Sequence, residues 1–131
     1  MTSFEQQVGK WADKVVIDIR TFTKLVAFKM HDRIVERTPV DTGRARASWN
    51  IIAGEQADPA QAPEGFSGGG AAGQAAARGK QLGVGLSDVY TISNNLPYIE
   101  ALENGHSKQA PAGMVALGIA DIRTQLEVEL G

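Results

Sequence analysis

The chain has 131 residues, 43% hydrophobic and 21% charged, with a formal net charge of −2; that length and balance suit one soluble domain with a core of its own. It has no cysteine, which excludes disulfides, thiol nucleophiles and thiolate metal sites. No apolar run reaches the length of a membrane span, and Met1-Thr2-Ser3-Phe4-Glu5 lacks the basic and apolar regions of a secretory signal, so we expect work in the cytoplasm or in something assembled there.

Apolar residues Phe4, Val8, Trp11, Val15, Ile19, Phe22, Val26, Met30 and Ile34 recur every three or four positions, the single stripe of an amphipathic helix. Gly9 is its one weak point. Continuous to Arg37, the helix would be about 45–50 Å long at ~1.5 Å per residue, too long for so small a domain to cover unaided. Pro39 ends it, because the residue before a proline avoids helical geometry. Asp41, Thr42 and Gly43 supply turn chemistry, and Arg44, Arg46 and Trp49 follow; the stretch 38–49 reads as a rigid elbow. Trp49, Ile51 and Ala53 then alternate with Asn50 and Ile52, a strand within 47–54.

From Gln56 to Gly85 the chain is rich in Gly, Ala, Gln and Pro and holds eight of the fifteen glycines. With Phe66, Leu82 and Val84 as its only strong anchors, it reads as a long loop that cannot offset its own ordering entropy. Gly79-Lys80 resembles the end of a phosphate-binding loop, but Gln74 and Gln81 stand where that pattern needs Gly and Ser or Thr, so it is dismissed. Val89-Tyr90-Thr91-Ile92-Ser93-Asn94 reads as a second strand pairing antiparallel with the first. Pro97 to Gly105 is a short helix by its punctuation, 106–113 a turn-rich loop, and Met114 to Leu130 a closing helix in which Gly118 suggests close approach of another backbone.

These elements predict an α+β fold: a long N-terminal helix and a C-terminal helix packed on a small antiparallel sheet, with the glycine-rich loop between its strands. We read residues 1–131 as one domain, divided into the long helix (1–37), elbow and strand (38–55), insertion (56–85), second strand (86–95) and helices (97–131).

Little chemistry is on offer. His31, beside charged residues, reads as a surface position. A hydrolytic set could be drawn from Ser107, His106 and Asp41, but adjacent Ser and His side chains rarely face each other usefully. His106, Glu100 and Glu103 lack a firm metal-ligand spacing, and the two glutamates read as flanking a solvated helix face. We expect no catalytic residue, metal or cofactor. Arg44 and Arg46 beside Trp49 are the best candidates for nucleic acid, the alternative reading being a small DNA-binding or regulatory module, but two arginines in an acidic chain do not make a footprint. Residues 1–47 carry nine Lys or Arg against six Asp or Glu, net +3, and residues 48–131 carry four against nine, net −5. Such a split suits copies meeting basic part to acidic part.

Thr38-Pro-Val-Asp-Thr-Gly-Arg-Ala-Arg-Ala-Ser-Trp49, then Ser93-Asn-Asn-Leu-Pro-Tyr-Ile99, then Glu103-Asn-Gly-His-Ser-Lys-Gln-Ala-Pro-Ala-Gly-Met-Val115 resemble the neck or tail-completion family of long-tailed double-stranded DNA phages, minor tail components of the lambdoid type. Ala45 is a minor departure, since leucine is common there. The resemblance implies a non-enzymatic structural protein at the head–tail junction of the virion, built in the host cytoplasm. It implies a ring around the DNA channel, of six copies by tail symmetry, with the head connector and the tail terminator or tail tube as partners and channel DNA nearby. It also implies that Asp41, Gly43, Arg44 and Trp49 hold the elbow, with Arg46 beside them. Tyr98, Glu103, Gly105, Ser107, Gln109, Pro111 and Gly113 would shape the second loop. The free subunit is then expected to be monomeric until a partner closes the ring. The insertion is expected to order only against neighbours, so that a short linker in place of 63–81 would leave the subunit folded.

Overall fold

In the computed structural model of the protein, residues 3–104 and 113–130 are described. The first helix, α1 (Phe4–Arg37), starts at a reciprocal cap: the Ser3 hydroxyl accepts from the Gln6 amide, and the Gln6 side chain accepts from the Ser3 amide, both at 3.2 Å. Gly9 does not interrupt it. It stops where Pro39 holds Thr38 at φ −73°, ψ 127°. Only its second half is covered. His31, Ile34 and Val35 are buried, whereas Phe4, Trp11 and Ile19 are 79%, 66% and 58% exposed.

The elbow contains one helical turn, α2 (Arg44–Ala47), entered through Gly43 at φ +90°, a conformation that glycine adopts without penalty. Then β1 (Trp49–Ala53) pairs antiparallel with β2 (Tyr90–Asn94), Ile51 opposite Ile92 and Trp49 opposite Asn94. Both strands, their pairing and their order agree with the sequence reading, within a residue or two at the ends.

The insertion between them is not all loop. It carries α3 (Gly69–Gly79), an eleven-residue helix packed on α2. The helix was invisible to hydrophobic patterning because its inner face is Gly73 and Ala77, small residues four apart. Smallness is what permits the contact. A Cβ on Gly73 would fall inside the Gly43 carbonyl and 2.9 Å from the Arg46 Cβ, and one on Gly70 would stand 2.9 Å from the Arg46 guanidinium. Ala77 is fully buried and belongs to the core with Ile34, Val35, Trp49 and Met114. Part of the stretch expected to order only on assembly is thus core material of the subunit.

The short α4 (Ile99–Glu103) leads to α5 (Met114–Leu130), which runs antiparallel to α1. As Gly118 suggested, two backbones meet there: an added Cβ would lie 2.8 Å from the Ile34 side chain and 3.2 Å from its backbone nitrogen. Arg37 fixes the pairing by a two-pronged bond to Asp121 at 3.0 and 2.9 Å. The architecture is the predicted α+β one.

Gly73→Ala should destabilise the protein by about 1–3 kcal/mol, because backbone must move to admit the methyl. Gly9→Ala, with nothing within 4 Å of the added Cβ, should stabilise it by about 0.5–1 kcal/mol. Urea melts of the two variants against wild type check the pair of opposite signs.

Candidate functional site: the elbow and its clamp

The elbow ties three parts of the chain together through buried polar bonds. The Trp49 indole Nε1 donates to the Thr38 hydroxyl at 2.8 Å, and that hydroxyl donates to the Ile34 carbonyl at 2.7 Å. Thr38 and Trp49 are 1% and 5% exposed. On the other side of Trp49, its carbonyl lies 3.0 Å from His31 Nε2. His31 Nδ1 lies 2.9 Å from the Gln81 amide nitrogen, which also donates to Asp32 Oδ1 at 2.8 Å. An amide NH2 can only donate, so Nδ1 accepts, and the imidazole is neutral with its proton on Nε2. His31 is completely buried, which corrects its reading as a surface position. Lys29 and Arg33 are exposed, while the ring faces β1 and, with the half-buried Asp32, the far end of the insertion.

Burial pushes the His31 imidazole below its ordinary pKa, against the opposing pull of the Trp49 carbonyl and the Asp32 carboxylate, while Lys80 adds a further push down.

Beyond α3 the insertion is buttoned to the end of α2 and to β1. The Lys80 ammonium donates to the Ala47 carbonyl at 2.7 Å and to the Asn50 side-chain oxygen at 2.5 Å. The Asn50 amide in turn donates to the carbonyls of Asp58 and Ala60 at 3.1 and 2.8 Å. Half-burial lowers the Lys80 pKa, with Asp58 opposing. The Lys80 that mimicked a phosphate-binding lysine is therefore an internal clamp.

The two elbow arginines also point inward. Arg44 Nε donates to the Ala62 carbonyl at 2.9 Å. Arg46 donates to the carbonyls of Thr38 at 3.0 Å and Glu36 at 2.9 Å, satisfying and neutralising the end of α1 as cations at helix C-termini do. Asp41 is exposed in the turn.

In the second loop, Tyr98 is 42% exposed at the start of α4. Glu103 is not part of a solvated face: its carboxylate accepts from the amides of Val115 at 2.8 Å and Ala116 at 3.1 Å, capping α5. Glu100 is exposed, as read. Gly113, at φ +87°, leaves room for Glu103. Gly105, Ser107, Gln109 and Pro111 lie outside the described residues, as does His106. Sequence reasoning missed His31, Lys80, Gln81 and the capping role of Glu103. Each acts on a residue distant in sequence, and no local pattern announces such a bond. Among the described residues, no group of three or more His, Cys, Asp or Glu is placed to hold a metal, and no helix is long and apolar enough to cross a membrane.

Residues 2–105, from α1 to the end of α4, match the family described as "Bacteriophage HK97-gp10, putative tail-component". The chain belongs to this family. It is a phage tail component, and its place is in the virion. The match includes the elbow, the insertion and the whole of α1, and it stops short of the 106–113 loop and α5, where part of the resemblance read from the sequence lies. No curated protein and no solved structure matched the chain.

Replacing 63–81 by a short linker should now collapse the melting curve rather than leave it unchanged. It removes Ala77 from the core and strands the partners of Lys80 and Gln81, at about 1–3 kcal/mol for each buried group left unpaired. For His31, the folded pKa lies below the unfolded one, so its contribution is complete above the unfolded value near ~6.5 and is lost as pH falls through the folded value. Wild-type melting temperature should drop between pH 7.5 and 5, and His31→Gln, less stable at pH 7.5, should lose much of that slope. Equal slopes in thermal melts would assign the pH dependence elsewhere.

Proposed function

We propose that the protein is a non-catalytic structural subunit of the head–tail junction. In this reading six copies form a ring around the DNA channel, between the head connector and the tail terminator or tail tube, and join the tail to the filled head. Family membership supports a tail component. The observation that carries the assembly reading is the first half of α1, where Phe4, Trp11 and Ile19 stand in solvent along a stretch of helix that the subunit itself does not cover. A chain that leaves so much apolar surface open is finished by assembly. The rival, DNA recognition by Arg44 and Arg46, loses its main footing because both guanidinium groups are engaged with backbone carbonyls.

The test is a phage carrying a nonsense mutation in this gene, complemented with an epitope-tagged copy. Without complementation, filled heads and separate tails should accumulate; with it, antibody-gold should decorate the neck of joined particles. Label at the distal tip, or joined infectious particles without the protein, would contradict the proposal.

A further inference from the structure

The exposed half of α1 and the groove beside its covered half form a complementary pair on one molecule. Every residue from Phe4 to Lys14 is exposed. Because α1 is one continuous helix, residues 4–19 project as an arm of about 24 Å at ~1.5 Å per residue, which cannot fold back onto its own body. Its stripe of Phe4, Val8, Trp11 and Ile19 continues the line that α5 covers further along.

The groove lies where that cover ends. Two adjoining cavities of about 210 and 330 Å³ flank the middle of α1, and Phe22, Val26 and Leu126 line both. Leu25, Lys29 and Ile122 are also among the residues that line the first, and Met30 and Ile92 among those that line the second. Glu129 stands on the rim of the first. The last turns of α5 carry Glu127 and Glu129 and no basic residue in the final turn. Carboxylates at the negative end of a helix attract cations, among them Lys29 of the same chain, which lines the first cavity with Glu129. The arm carries Lys10 and Lys14, both exposed, among the equally exposed Glu5, Asp13 and Asp18, so the match is of these two lysines to the rim carboxylates and not of net charge.

We propose that the arm of one copy docks in the groove of a second copy, extending the line of α5 along the neighbour's α1, with Lys10 and Lys14 set against Glu127 and Glu129. This rests on the self-assembly part of the function proposed above and names its surfaces. Arm and groove are different patches, so the contact is heterologous and repeats from copy to copy, as a ring requires. Aromatic side chains bury about 150–250 Å² each, so Phe4 and Trp11 supply roughly half of the ~800 Å² per partner of a standard interface, with Val8 and Ile19 adding to it.

The absence of cysteine makes a clean test. Ala12→Cys on the arm and Gln125→Cys at the groove are prepared as separate proteins, mixed and oxidised, both purified and in particles assembled by complementation. We expect crosslinked dimers from the mixture, and none when Ala12→Cys is mixed with Ala75→Cys on the exposed side of α3. In the assembled particles Trp11→Asp should cut the yield of the Ala12–Gln125 crosslink at least about tenfold, with unchanged melting of the purified subunit. Lys10→Glu with Lys14→Glu should also lower that yield, and Glu127→Lys with Glu129→Lys in the partner copy should restore it. The proposal is overturned if the Ala12–Gln125 crosslink forms in neither setting, if Ala12→Cys crosslinks only with itself (arm pairing with arm), or if the arm becomes protected only on adding tails that lack this protein. Particles with label at the neck but no such crosslink would sink the docking and keep the location; the crosslink with label elsewhere would do the reverse.

Discussion

One hydroxyl holds the structure together. Thr38 is the last residue before Pro39 and cannot continue α1, so its side chain is free to do two jobs: close the helix on Ile34 and receive the Trp49 indole. From that point Trp49 is fixed, and with it the start of β1. The Trp49 carbonyl then orients His31, and His31 orients Gln81 at the far end of the insertion. A buried polar chain of this kind is costly if any member lacks a partner and rigid if all are satisfied. Among the described residues every buried side-chain nitrogen and oxygen has a partner. The elbow is therefore a brace, and the basic residues in and against it are spent inward: Arg44 on Ala62, Arg46 on the end of α1, Lys80 of the insertion on α2 and β1.

Much of this was legible in the sequence where the signal was local. The stripe from Phe4 to Ile34, the proline stop at Thr38, the alternation around Trp49 and Ile92, and Gly118 as a point of close approach each follow from period, φ restriction or the missing Cβ. α3 was not legible, because patterning looks for large apolar residues. This helix instead packs by letting the backbones at Gly43 and Gly73 approach where a methyl would collide. The inward faces of His31, Lys80 and Glu103 were not legible either. Each makes its bond to a residue far along the chain, so the local sequence around it reads as an ordinary charged surface.

An inward-looking elbow moves the outward chemistry of the molecule to its long helix. The same stripe is core at Met30 and Ile34 and surface at Phe4 and Trp11. Nothing in its composition changes along the way; what changes is whether α5 is there to cover it. A tail component has a reason to be built so: a covered half folds the subunit and an open half waits for assembly, and one helix keeps the two in fixed relation.

The claim that the Thr38–Trp49 bond is the keystone is tested most directly by a double-mutant cycle in urea at pH 7.5, using Thr38→Val and Trp49→Phe singly and together. Thr38→Val alone leaves the buried indole N–H without an acceptor and should cost about 1–3 kcal/mol beyond its effect in the Trp49→Phe background, where no N–H remains to be stranded. Additive costs, with no coupling between the two positions, would contradict the account.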